Sequence, residues 1–381
     1  MEKQLHLLLR IVSKVRDYLL YPYGWTKSQL QRIVPASIEQ DYPIDFVVTW
    51  VDGEDCDWQM RKASYAGEIT EEMENTPARY RDWGLMRYWF RAVEQYAPWV
   101  RKVFFVTCGH KPEWLDLNNE KLVFVTHKDF IPEQYLPTFN SRTIEMNLWR
   151  IRDLSEHFVY FNDDVFLNRP VTPEFFYEQG LPKLCSLAIP FCFRIPASNT
   201  IWKLSLLNDI EIINDTFDIR KAVRNHPEKF FSYVYGRKAK YNWRILDDSF
   251  ITGMYYPHTS FAYLKSTFAE IWNAHHDIMD ASCKYRFRNR NQVTVLLPLL
   301  WMIFRGQYVP VDTGYYGRSI GLDHKSINRI DELLQSSDGI VCFNDNQFTD
   351  SEDEETKLMI YKELHKAFSK KFPNKSVFEL K

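Results

Sequence analysis

An apolar run from Glu156 to Phe161 stops abruptly on Asn162, Asp163 and Asp164. Two carboxylates at what reads as a strand end suit a divalent cation. Hard ions such as Mg2+ or Mn2+ take oxygen ligands and keep water positions open for substrate phosphates, so an acidic cluster at the carboxyl edge of a sheet is a candidate nucleotide-sugar site. The plain alternative is a solvated strand-to-loop junction, since acidic pairs are common in loops. Two further strand ends weigh against it. Ile44 to Val51 is a buried-strand pattern that stops on Asp52-Gly53, and Gly339 to Phe343 stops on Asn344-Asp345-Asn346. If the three ends converge, Asp163, Asp164 and Asp345 would hold a cation on a pyrophosphate, while Asp52 would sit where a base or ribose docks. Asn344 and Asn346 would ligate through their amide oxygens or only brace the turn.

Phosphate chemistry also needs fixed positive charge. Thr138-Phe-Asn-Ser-Arg142 opens an expected helix, and Arg286-Phe-Arg-Asn-Arg290 is a second basic cluster. Arginine holds phosphate oxygens bidentately and stays charged at any working pH. The alternative for each cluster is a solvated basic face, with Asn140 and Ser141 acting only as helix caps. His258, in Tyr256-Pro-His-Thr-Ser260, is the candidate general base, because imidazole titrates near neutral pH. Lys265, seven residues beyond His258 and so about two helical turns further on, would share its face. His275-His276-Asp277 imitates a metal motif, but adjacent residues on a helix point apart, which leaves it at the surface or in a supporting role.

The elements that must position these groups alternate. Strand patterns at Ile44–Val51, Val103–Thr107, Leu122–Thr126 and Phe158–Phe161 are separated by helical spacing over Arg79–Tyr96, ended by Pro98, and over Phe139–Arg152. That order predicts an α/β protein: a Rossmann-like, mostly parallel sheet flanked by helices, with a more helical insertion in the second half. The expected division is an amphipathic helical segment over 1–40 and an α/β core over 41–180. A helical insertion over 181–257, a candidate acceptor region, precedes a return to the core over 258–381. Ser260 to Ile278 and Val293 to Phe304 read as helices, and Asp350 to Glu355 as a solvated helix start favoured by the helix dipole.

Composition is that of a globular chain. Of 381 residues, 45% are hydrophobic and 16% aromatic, and the formal charge is only −2, which gives no electrostatic footprint for nucleic acid. Six cysteines without a close Cys-x-x-Cys pair favour free thiols in a cytosolic protein. No apolar stretch reaches the roughly 18 to 20 residues of a membrane span. The first 34 residues are amphipathic and mildly basic, with Lys3, Arg10, Lys14, Arg16, Lys27 and Arg32 among apolar residues. Such a segment either packs on its own domain or a partner, or lies on an anionic membrane surface.

Taken in order, four blocks resemble the Stealth family of hexose-1-phosphate transferases. They are IDFVVTWVDG from Ile44; the long stretch from Arg79 to Pro173; His258 through Arg288, a His-led helix ending in an Arg-Phe-Arg turn; and Val341-Cys-Phe-Asn-Asp-Asn346. The end, Phe372 to Glu379, is similar to the family's usual terminus. The resemblance implies transfer of a sugar 1-phosphate from a UDP-sugar to a glycan hydroxyl in capsule or exopolysaccharide synthesis, with release of UMP. It implies Mg2+ or Mn2+ on Asp163, Asp164 and Asp345, and catalytic roles for His258, Arg142, Arg288 and Asp164. Donor contacts are expected from Asp52, Gly53, Asn140 and Asn162. The implied setting is cytoplasmic, with peripheral contact at the inner face of the plasma membrane and an oligosaccharide or capsule polysaccharide as acceptor. Two segments depart from the family: Leu181 to Phe250 matches no motif, and Asn289-Arg290-Asn291 stands where Ser-x-Asp is usual. A metal-dependent glycosyltransferase releasing UDP is the rival expectation, and a glycan-binding scaffold the third.

Overall fold

The computed structural model describes residues 2–33, 42–192 and 201–381. Residues 34–41 and 193–200, on which parts of the expected N-terminal, core and insertion segments fall, and Met1 lie outside the described residues. Along the described chain run β1 (Ile44–Thr49), β2 (Val103–Thr107), β3 (Leu122–Thr126), β4 (His157–Phe161), β5 (Val165–Leu167), β6 (Tyr177–Glu178), β7 (Leu181–Leu184), β8 (Phe261–Leu264), β9 (Val309–Pro310), β10 (Gly317–Gly321) and β11 (Ile340–Asn344).

The central sheet has the order β3-β2-β1-β4-β8. Its first four strands are parallel, and β8 runs antiparallel beside β4. Phe46, Val47, Val48 and Phe158 through Phe161 are wholly buried. Unbroken apolar runs of this kind are what a sheet covered on both faces requires. The chain steps outward from β1 to β2 and β3, then returns to the other side of β1 as β4. The order therefore reverses between β1 and β4, and in such sheets the ligand crevice opens there, at the carboxyl ends. This is the Rossmann-like α/β layer that the alternation predicts.

Immediately after the acidic pair the chain doubles back. β5 pairs antiparallel with β11, and β11 pairs parallel with β10. Phe343 N donates to Asp164 O at 2.9 Å, which draws the end of β11 beside the end of β4. Because β8 is antiparallel, its leading end, and with it the His258 loop, also reaches the carboxyl end of β4.

Three expected elements differ. The helix expected from Arg79 begins at Met86 and ends at Tyr96, so Arg79 to Leu85 enter as a short 3-10 turn and a loop. Phe139–Arg152 is a short helix, Ser141–Asn147, followed by a 3-10 turn. Ser260 to Ile278 begins as β8 and turns helical only at Lys265. Lys265 consequently bonds the carbonyls of Ile151 and Leu154 rather than sharing a face with His258.

The second half is helical as expected, with Ile201–Thr216, Ile219–Asn225, Pro227–Phe230 and Trp243–Asp248 in the insertion. The helix Leu296–Phe304 is buried throughout and carries Pro298 in its first turn, where a missing N–H costs no helical bond. Asp353 caps the helix Glu354–Lys371 by accepting from Thr356 N. The chain end is fastened by Arg91, whose guanidinium grips both Glu379 oxygens at 2.7 and 2.8 Å. All six cysteines are free. No described helix is long and apolar enough to cross a membrane.

Candidate active site

A cleft of about 630 Å3 opens at the switch point between β1 and β4. Its lining includes Asn162, Asp163, Asp164, Asp345, His258, Arg142 and Arg288. The ends of β1, β4 and β11 and both basic clusters, spread in sequence from Thr49 to Asp345, thus meet in one place.

The acidic wall is crowded. Asp164 Oδ2 lies 3.5 Å from His258 Nε2 and accepts from the Cys342 thiol at 3.4 Å, while Asp164 Oδ1 is buried without a hydrogen-bond partner. Burial, then the charges of Asp164 and Asp82, hold the Asp163 carboxyl well above the usual carboxylate range. Asp82 is itself raised by burial. Asp345 has a cation of its own: Arg81 Nη1 donates to both its oxygens at 2.8 and 2.7 Å, and Trp83 Nε1 adds a third bond at 3.0 Å. Burial nonetheless pushes the Asp345 carboxyl up to about 6. Asn162 is oriented through Oδ1, which accepts from the Tyr160 hydroxyl at 2.8 Å.

The basic wall is assembled by Asn140. Fully buried, it caps the helix Ser141–Asn147 through its oxygen, while its amide nitrogen donates to the carbonyls of Tyr285 and Phe287 and to Gln292 Oε1. Phe287 stacks on Phe139 with centroids 5.3 Å apart. This clamp fastens the Arg286–Arg290 loop onto the start of the helix that carries Arg142. Within the loop, Arg286 is drawn off by Glu68 and Arg290 by Glu71, which leaves Arg288 on the cleft, donating to Ser141 Oγ at 2.8 Å. Arg142 is buried and donates to Ser205 Oγ, Asn289 O and Glu74. Burial, together with Arg288 nearby, lowers its guanidinium to about 10. Arg79 shares Glu74 at 3.5 Å.

Asn140 therefore sits beneath the cleft rather than on it, where a donor contact was expected. Asp52 and Gly53 are also absent from the lining. Asp52 accepts from Glu54 N, and its own N–H is donated to His110 Nδ1 at 2.9 Å. Gly53 has a packing reason: a Cβ there would lie 2.0 Å from Tyr80 O, and Tyr80 lines the cleft. The expected helical pair His275-His276 stays outside, with His275 Nε2 2.8 Å from Thr216 Oγ1. Sequence reasoning missed Glu74, Arg79, Arg81, Asp82 and Trp83, and also Glu145, whose carboxyl is buried beside Arg288 and Arg142.

Asp164, His258 and Cys342 bring one potential ligand atom each within 4.8 Å of one another. Burial and Asp164 push the Cys342 thiol well up, so it stays protonated and is a poor ligand. The orphaned Asp164 oxygen, and the burial and neighbouring carboxylate charge that hold Asp163 up, make the site fit a divalent cation with oxygen preference.

Conserved region 1 of Stealth proteins matches residues 42–70, and conserved region 2 matches residues 79–184. The capsular polysaccharide phosphotransferase WcwK of Streptococcus pneumoniae is 43% identical over 340 residues, which covers 89% of this chain and 98% of that protein. The exopolysaccharide phosphotransferase cps2G of Lactiplantibacillus plantarum is 38% identical, covering 89% and 96%. The receptor polysaccharide phosphotransferase WefC of Streptococcus gordonii is 37% identical, covering 88% and 99%. A solved structure of LgtC aligns over 85% of this chain and 95% of that one at 11% identity, with a TM-score of 0.34, too distant to carry an argument. Kinship of this extent with proteins named as phosphotransferases makes the chain a transferase enzyme, and it belongs to the Stealth family.

Proposed function

We propose that the cleft transfers a sugar 1-phosphate from a UDP-sugar to a hydroxyl of an oligosaccharide or capsule polysaccharide, releasing UMP. The observation that carries this reading is the meeting, in one cleft, of Asp163, Asp164 and His258 with Arg79, Arg142 and Arg288. A phosphoryl group in transfer spreads negative charge over its oxygens, and arginines fixed in advance lower that barrier without reorganising. The relatives' names, phosphotransferases of capsular and exopolysaccharides, support a phosphoryl step over plain glycosyl transfer.

In the proposed step the acceptor oxygen attacks the β-phosphorus of the donor. The new O–P bond forms as the bond to the bridging oxygen breaks, and UMP leaves with that oxygen. The hydroxyl proton passes to His258 Nε2, and Asp164 at 3.5 Å stabilises the imidazolium so formed. Arg288 counters the charge on the transferring group directly, and Arg142, largely matched by Glu74, supports it from within the wall. Asp163 and the second oxygen of Asp164 would hold Mg2+ or Mn2+, with Asp345 and Arg81 bracing them; when bound, the ion supplies Lewis-acid neutralisation of the pyrophosphate. Asn162 contacts the donor, while Asp52 and Gly53 shape that end of the cleft through Tyr80. The insertion contributes Trp202 and Tyr256 to the lining, and this is the proposed acceptor side.

Purified protein incubated with a panel of UDP-sugars, Mg2+ or Mn2+ and capsule-type oligosaccharides tests the reading once the nucleotides are separated. UMP formed only with metal is the expected result. UDP would mean glycosyl transfer and overturn it, as would the absence of any nucleotide product across the panel.

A further inference from the structure

The helix Glu2–Ile33 docks on the insertion by one face only. Asp17 takes Arg224 at 2.8 Å, the Ser28 hydroxyl accepts from Tyr233 N at 3.0 Å, and Tyr21 packs against Phe231 and Trp243. On the opposite face, Leu8, Ile11, Val12, Val15, Leu19 and Leu30 are each between 51% and 62% exposed. At about 100° per residue the first five form a single stripe over three turns, and Leu30 continues its line beyond Pro22, Thr26 and Gln29. Between Leu8 and Leu30 no acidic or basic residue falls within that stripe; Lys14 lies on one flank, and Arg16 and Lys27 on the other.

A contiguous apolar face is costly in water and calls for a covering. Charge decides which. The helix carries six basic and two acidic side chains in a chain whose formal charge is −2 overall. Pairing with a second copy would set two cationic helices side by side, whereas basic flanks around an apolar stripe match anionic headgroups above acyl chains. We propose that this face of the helix Glu2–Ile33 lies on an anionic lipid surface, its stripe buried at the headgroup boundary. The same helix rests on the insertion whose Trp202 and Tyr256 line the cleft, so a protein held this way would work on acceptors at that surface.

Sedimentation of the full chain with vesicles tests the proposal and does not depend on the transfer reaction. Vesicles of phosphatidylcholine alone are compared with vesicles of equal parts phosphatidylcholine and phosphatidylglycerol. Binding is expected only to the anionic vesicles and should weaken as salt is raised. The double substitution Val12→Asp with Leu19→Asp should reduce it by about ten-fold or more, and Lys14→Gln with Arg16→Gln should reduce it less. These side chains are exposed, so the melting temperature should hold within a few degrees. No binding, or equal binding to both vesicles, would overturn the proposal. So would concentration-dependent self-association that the double Asp variant abolishes in the absence of vesicle binding, since that would assign the face to a second copy.

Discussion

On the basic wall of the cleft, Arg142 and Arg79 are answered from within the protein by Glu74, Ser205 and a backbone carbonyl. On the acidic wall, among the described residues, Asp345 is held by an arginine, Arg81, whereas Asp163 and Asp164 are not. Asp163 and Asp164 repel one another, and one Asp164 oxygen is buried with no partner. The difference separates framework from chemistry. A charge matched internally is paid for on folding and has little left to offer a ligand, whereas an unmatched one awaits a guest. By that standard the residues we propose as reactive are Asp163, Asp164 and His258 on one wall, and on the other Arg288, whose guanidinium donates to Ser141 Oγ and has Glu145 buried nearby but makes no direct ion pair among the described residues.

The strongest test removes the unmatched groups. Asp164→Ala and His258→Ala should each lower turnover by about a thousand-fold or more, since general-base catalysis alone is worth a large share of that factor. Thermal melts should show the fold intact. Chelation with EDTA should stop UMP release, and added Mn2+ should restore it. Full activity in either variant would remove that residue from the chemistry and erase the contrast between the walls.

The two arginines should part company next. Arg288→Ala should cost about 10^2- to 10^3-fold in kcat with little change in melting temperature, the scale of a lost oxyanion donor. Arg142→Ala should instead destabilise the fold by roughly 3 kcal/mol, because Glu74 loses its most buried partner. Denaturant melts alongside kinetics separate the two outcomes. If Arg142→Ala melts like the parent and loses only kcat, the internal match with Glu74 is not what positions it.

Which of these groups could be seen in sequence follows from how each is announced. Asp163 and Asp164 are visible because a buried strand leaves an unbroken apolar run, and polar residues that interrupt it stand out. Arg288 is visible as type and spacing, but its separation from Arg286 and Arg290 depends on Glu68 and Glu71, more than 200 positions away. Arg79 to Trp83 were hidden by a helical period that ran smoothly into Met86–Tyr96. The signal was Gly84, whose φ of 70° lies outside any right-handed helix and ends the loop before the helix begins. β8 was hidden by the opposite fault: Phe261 to Leu264 passes into the next helix with no turn residue between them. The parallel core itself was legible, as continuous apolar strands alternating with helical segments allow few other layers.

A finer test concerns Asp345, expected from sequence as a cation ligand and found on Arg81. Asp163→Asn should weaken Mn2+ binding, followed by calorimetric titration, by well over the about ten-fold that loss of a supporting partner costs, and Asp345→Asn by that amount or less. Equal losses would place both carboxylates on the ion and make Arg81 a competitor that the metal displaces.

The smallest effect lies at the end of β3, where His127 lines the cleft but carries no charge. Burial lowers its imidazole from 6.5 to about 4, with His110 adding to the shift. The sign follows from proton counting. Between these values the unfolded chain binds a proton that the folded chain refuses, so stability falls as pH drops through 6.5 and the loss saturates near 4. At pH 6 the cost from this one group is about 1 kcal/mol, and His127→Gln should remove it, leaving a shallower dependence of stability on pH. An unchanged slope would mean that His127 accepts its proton within the fold. The cleft would then contain a further cationic position beside its arginines, and the contrast between a matched and an unmatched wall would have to be redrawn to include the β3 end.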